Sequence, residues 1–223
     1  SEATGPLGSL KVTPLLTLES YLRQWVIGLW LAEHNLPVDT RYIEEIERLA
    51  GTPNKKLSVG GKLVMNEAGS LWAPLEAPQF EENLVLGEKL PIPALGGYLK
   101  SSIIKEKKSP FSPLKSPRQV AFDADRLHLG LKVRPWRLGD KFRPFGLQGS
   151  VKIGDLFTNL KIPTPLREHW PLVMDGDVII WVVGLRRGSL APMSNKTANV
   201  LYMEYTGDMI PSGISNSMEP AKH

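Results

Sequence analysis

The sequence predicts an α+β chain: an N-terminal helical hairpin with a short β-hairpin, followed by a small α/β C-terminal domain of mixed short strands and two short helices. Three observations carry this. Apolar residues recur at spacings of three and four through residues 15–49, the period of helices with a buried face. Gly60-Gly61 separates two short runs in the manner of a tight hairpin turn. Beyond residue 80 the apolar residues fall into short β-branched and aromatic runs, the fullest at 178–184. At 223 residues, 42% hydrophobic and 22% charged, the chain has material for two small units.

The first helix is expected over 15–35, with Thr17 as its cap and Leu18, Leu22, Trp25, Val26, Leu29 and Trp30 as its apolar stripe. After Leu36-Pro37, Asp39 or Thr40 caps a second helix carrying Tyr42, Ile43, Ile46 and Leu49 and stopping at Gly51. Arg23, Arg41 and Arg48 are balanced by Glu44, Glu45 and Glu47, the pattern of a solvated face. Residues 56–66 form the hairpin and 70–73 a further strand. Ser58-Val59-Gly60-Gly61-Lys62 lacks the spacing of a phosphate-binding loop, and strand-like residues follow it. Residues 74–82 read as a linker.

Strands are then expected at 84–86, 98–104, 119–122 and 129–133, with a proline- and serine-rich basic loop at 105–117 between them. Ser150 is placed to cap a helix bearing Ile153, Leu156, Phe157 and Leu160, ended by Pro163. Thr164 caps a second, with Pro165 at its first position. Strands at 172–173, 178–184 and 200–205 complete the pattern. The organisation is therefore 13–80 helical, 81–131 a β-rich connector, 132–206 a C-terminal domain and 207–223 a polar tail. Residues 1–12 are set aside because Gly5-Pro6-Leu7-Gly8-Ser9 matches a common cleavage scar.

Composition removes several chemistries. With no cysteine the chain offers no disulfide, thiolate metal site or cysteine nucleophile, and its four histidines lack metal-ligand spacing. No apolar run approaches the roughly 18 residues of a membrane span. No nucleophile elbow or dinucleotide fingerprint occurs, so no residue is assigned to catalysis or to a metal. The net charge of +4 is uneven: residues 132–205 carry 11 basic and 6 acidic side chains, while residues 1–131 are balanced. A polyanion is the partner such a segment suggests, a solvated basic face being the alternative.

The excess centres on residues 133–171, where glycines punctuate regularly placed cations. There Arg134, Arg137, Gly139, Asp140, Lys141 and Phe142 are followed by Pro144, Gly146, Gly149 and Lys152, then Lys161-Ile162-Pro163, Arg167 and Pro171, with Val182-Val183-Gly184-Leu185-Arg186 beyond. This series resembles the C-terminal substrate-binding part of the tRNA(Ile)-lysidine synthetases over about 70 residues. The helical and Gly-Gly hairpins resemble that family's middle domain more weakly. Two departures stand out: Val151-Lys152 replaces the paired lysines of many relatives, and the family's ATP-pyrophosphatase loop, Ser-Gly-Gly-x-Asp-Ser, does not occur in the chain.

The resemblance implies a cytoplasmic, bacterial ligase that uses ATP, with Mg, and lysine to convert the wobble cytidine of a minor tRNA(Ile) to lysidine. ATP and lysine would be handled by a catalytic domain outside this fragment, which would hold the body and acceptor stem of the tRNA and itself need no cofactor and no membrane. A homodimer is left open. Arg134, Arg137, Lys141, Arg143, Lys152, Lys161, Arg167 and Arg186 are the expected RNA contacts. Gly139, Gly146 and Gly149 are expected to shape the backbone, and Asp140 to brace the Gly139 turn or neighbouring arginines. Phe145 is read as buried under the Gly-rich turn rather than stacked on a terminal base, and Trp136 and Trp170 as core or half-buried. The competing reading is a stand-alone, non-catalytic RNA-binding or protein-interaction module.

Overall fold

A computed structural model describes residues 3–76, 78, 80–105 and 116–207. The architecture is α+β. The chain separates into two compact units, Ser1–Glu76 with Pro163–Pro165, and Ala77–Ile162 with Leu166–His223. Most of the loop expected at 105–117, and the tail beyond residue 207, lie outside the described residues.

In the first unit the order is β1 (Leu10–Lys11), α1 (Val12–Leu16), α2 (Ser20–Glu33), α3 (Thr40–Ala50), β2 (Lys56–Val59), β3 (Lys62–Glu67) and β4 (Ser70–Trp72). The strands form an antiparallel sheet in the order β1-β4-β3-β2. Gly60 and Gly61 make the β2–β3 turn with φ of 55° and 80°, backbone that a side chain disfavours. Asp39 caps α3, its carboxylate accepting from Tyr42 N at 2.9 Å.

Two expectations here are corrected. Thr17 does not cap the first helix: it ends the short α1, where its hydroxyl donates to Pro14 O, and α2 starts after Glu19 without a side-chain cap. The stripe of α2 is also turned. Ile27, Trp30 and Leu31 enter the core, whereas Trp25 is 63% and Leu29 46% exposed. The helix is apolar on both sides, so periodicity alone could not say which side meets the sheet. Residues 3–12, set aside above, pack as well: Leu10 is buried, and Trp30 Nε1 donates to Gly8 O.

In the second unit, β5 (Glu82–Asn83), β6 (Lys89–Ile92), β7 (Gly97–Lys105), β8 (Gln119–Asp123), β9 (Leu131–Pro135), β10 (Lys141–Phe142) and β11 (Val151–Lys152) precede α4 (Ile153–Asn159) and the single turn α5 (Thr164–Arg167), whose first residues are counted with the first unit. Then follow β12 (Pro171–Asp175), β13 (Val178–Val182), β14 (Arg186–Arg187) and β15 (Asn199–Gly207). They make a five-stranded sheet, β14-β13-β12-β9-β5, a four-stranded sheet, β6-β7-β15-β8, and a two-stranded ribbon, β10-β11. Residues 81–131 thus place strands in the same sheets as 132–206. The strand expected at 84–86 is instead β5, two residues earlier. Ser150 does not cap α4, whose N-cap is Lys152 without a side-chain bond. Of the apolar run at 178–184, Val178–Val182 form β13: Val178 at its start is 48% exposed, and Trp181 and Val182 are fully enclosed. Among the described residues no helix is long and apolar enough to cross a membrane.

In the first unit one buried polar side chain locks the hairpin to the helix. Asn66 is 2% exposed, and its Nδ2 donates to Leu49 O at 2.8 Å and Ala50 O at 3.0 Å, satisfying carbonyls at the end of α3. Asn66→Ala removes the donor to Ala50 O, whereas Leu49 O keeps Thr52 N at 2.9 Å, and is expected to lower stability by about 1 kcal/mol, read from urea unfolding.

Candidate nucleic-acid interface

The geometry of the site begins at Asp140. Its carboxylate receives both Nη atoms of Arg134 at 2.8 Å each, and Oδ2 also accepts from Arg137 N at 2.8 Å. Its carbonyl accepts from Ile153 N at 3.0 Å. One aspartate therefore fastens β9, the turn through Gly139 and the start of α4. A planar guanidinium suits this because its two donors match two carboxylate oxygens.

The turn delivers the chain into the ribbon. Lys141 lies directly opposite Lys152 and Phe142 opposite Val151. Phe142 is buried while Lys141, Arg143 and Lys152 are exposed, so the three cations share the outer face. Among the described residues none of them forms an ion pair. Like charges directly across a ladder repel, and an anion over this face relieves the repulsion. Gly139, Gly146 and Gly149 have φ of 97°, 80° and 87°, backbone that a side chain disfavours.

The remaining expected contacts divide. Arg134 is spent on Asp140, with 11% of its side chain exposed, and reaches Pro135 O with the same group. The exposed Arg137 opens onto a groove of about 720 Å³ shared with Phe80, Trp136, Leu138 and Glu168. Arg167 donates through Nε to Ile162 O and through Nη1 to Thr158 Oγ1, tying down the end of α4, where Lys161 takes a left-handed φ of 54°. Arg186 is half-buried on β14.

Sequence reasoning missed Arg187. Its guanidinium lies between the rings of Phe122, at 4.4 Å, and Phe145, at 4.5 Å, and donates to the carbonyls of Ala121, Gly188 and Ala191. Burial pushes its pKa down to about 10, far enough above neutrality that it keeps its charge. Only the adjacency Arg186-Arg187 was visible in the sequence, and a two-residue strand does not say which of the two turns inward. Phe145 also departs from expectation. It is 52% exposed, with its ring over the Arg187 guanidinium rather than beneath the turn. Trp170 is fully buried with Nε1 donating to Val183 O, and Phe157 packs between it and the half-buried Trp136.

Comparison with known proteins finds relatives of the segment that carries this face. Residues 131–203 match the TilS substrate C-terminal domain family. A tRNA(Ile)-lysidine synthase of Persephonella marina is 30% identical over 166 residues, 73% of this chain and 36% of that protein. One from Geobacter sulfurreducens is 40% identical over 70 residues, 31% of this chain and 15% of that protein. A solved structure described as the TilS C-terminal domain is 26% identical with a TM-score of 0.51, covering 57% of this chain and 96% of that one. The chain spans about a third or less of the length of the curated relatives it matches.

Two outcomes are expected. Arg134→Lys offers a single ammonium where two parallel donors are needed, and should lower the urea-unfolding stability of this unit by about 2 kcal/mol. His169 is 8% exposed, and burial pushes its pKa below the ordinary histidine value, with Glu168 partly opposing. The unfolded chain therefore takes up the proton first as pH falls, so stability should drop below about pH 6.5. Unfolding midpoints measured across that range should fall less in His169→Gln.

Proposed function

Residues 131–203 belong to the TilS substrate C-terminal domain family, and from that membership we propose that this chain is the RNA-holding part of a tRNA(Ile)-lysidine synthase. The observation that carries the reading is the ribbon: Lys141 and Lys152 face each other across the ladder with Arg143 beside them, a like-charge cluster at a cost to the fold. A phosphate backbone supplies the missing counter-charge. A-form RNA is recognised largely through phosphates, 2′-hydroxyls and shape, which a shallow cationic ribbon can meet without entering a deep groove. Arg137 and Lys161 extend the cationic surface, whereas Arg134 and Arg187 support it from below.

In this reading ATP activates the wobble cytidine of a minor tRNA(Ile), and lysine displaces the activated group, in a part of the enzyme that these 223 residues do not supply. The present residues contribute binding and orientation: they hold the tRNA body so that the anticodon reaches the reacting groups, and they reject tRNAs of different shape.

A filter-binding titration with a tRNA(Ile) transcript tests this. About six phosphate contacts should cost roughly a thousandfold in affinity between 50 and 200 mM salt. Lys152→Ala should lower the logarithmic salt slope by about 1. Lys152→Glu should weaken RNA binding further while raising unfolding stability by about 0.5 kcal/mol, because it places opposite charges across the ladder. Salt-independent binding, or a loss of stability in Lys152→Glu, removes the reading.

A further inference from the structure

The exposed row does not end at Arg143. Exposure and burial alternate through Lys141, Phe142, Arg143 and Pro144, so Lys141 and Arg143 rise from one face of an extended segment, and the exposed Phe145 follows directly as the first residue of the turn closed by Leu147 N on Pro144 O. That segment is pinned beside β14. Ser189 N donates to Arg143 O at 2.8 Å, Phe145 N donates to Arg187 O at 3.0 Å, and Pro144 bridges to Gly188. A single exposed phenylalanine is ordinary, but this one is fixed. One face of its ring lies on the Arg187 guanidinium, which rests on the buried Phe122 and is tied to three carbonyls. With that face covered and 52% of the residue exposed, the other face is turned to solvent.

We propose that Phe145 is a stacking platform for an unpaired nucleobase whose neighbouring phosphates run along Arg143, Lys141 and Lys152; this rests on the RNA-holding reading above. Bases inside a duplex have both faces covered by their neighbours, so the partner is a base at a single-stranded end or loop, where aromatic stacking beside cations is the usual mode of capture. The ring is already immobilised by Arg187, so little side-chain freedom remains to be lost on stacking. Stacking accepts any base, so the platform selects for an unpaired nucleotide at this position rather than for a sequence.

The test uses the full chain and two RNA hairpins with the same acceptor-type stem, one blunt and one with a four-nucleotide 3′ overhang. Wild type should bind the overhang hairpin about tenfold tighter than the blunt one. Phe145→Ala and Phe145→Leu should both abolish that preference without changing affinity for the blunt hairpin, and Phe145→Trp should retain it. The leucine keeps apolar cover over Arg187, so its loss of preference cannot be a folding defect if its melting temperature is that of wild type. An overhang preference that survives in Phe145→Leu, an equal loss on both hairpins, or no preference in wild type overturns the platform while leaving the RNA-holding reading in place. Absence of salt-dependent binding to either hairpin overturns both, and points to a protein partner for this face.

Discussion

The bidentate pair between Arg134 and Asp140 is the contact on which the rest of the basic face depends. With side chains 11% and 14% exposed, it is an ion pair largely withdrawn from water, stable because both carboxylate oxygens are met and the spare lone pair takes Arg137 N. It ties the end of β9 to the Gly139 turn, and the main chain of the same aspartate meets the start of α4. The ribbon that presents Lys141 and Lys152 begins at the next residue. Electrostatics inside the domain thus sets up electrostatics on its surface.

Arg187 solves a related problem differently. It has three carbonyls and two ring faces but, among the described residues, no carboxylate, so its charge is dispersed over dipoles and π-systems rather than neutralised. Burial lowers its pKa to about 10. The structural consequence is that Phe145, Ala121 and the 188–191 loop are gathered around one cation. The cations of residues 132–205 therefore do not form one population: two guanidiniums are consumed by the fold, Arg167 is partly consumed, and most of the others face solvent.

How legible this was depends on the range of the interaction that decides each feature. Asp39 as cap of α3, Gly60-Gly61 as the hairpin turn and the buried strand near 178 were all readable, because cap geometry, positive φ and β-branched runs are local properties. Thr17 and Ser150 looked equally good as caps and are not, since the neighbouring chain turns differently once packed. The α2 stripe failed for a physical reason of its own: Trp25 and Leu29 are as apolar as Ile27 and Leu31, so the choice of buried side rests with the sheet the helix meets. Of the expected contacts, the motif located Arg134 and Lys141 equally well and could not say that one faces inward.

The sequence by itself determined the α+β class, the position of the basic, glycine-punctuated segment, the glycines that need positive φ and the family resemblance, because these rest on residue type and near-neighbour spacing. Only the tertiary structure decided that Lys141 meets Lys152, that Asp140 takes Arg134 out of the solvent-facing set, and that Arg187 props Phe145 on the rim. Each of these joins residues through strand register or side-chain burial, and register is a property of two segments at once that neither carries alone.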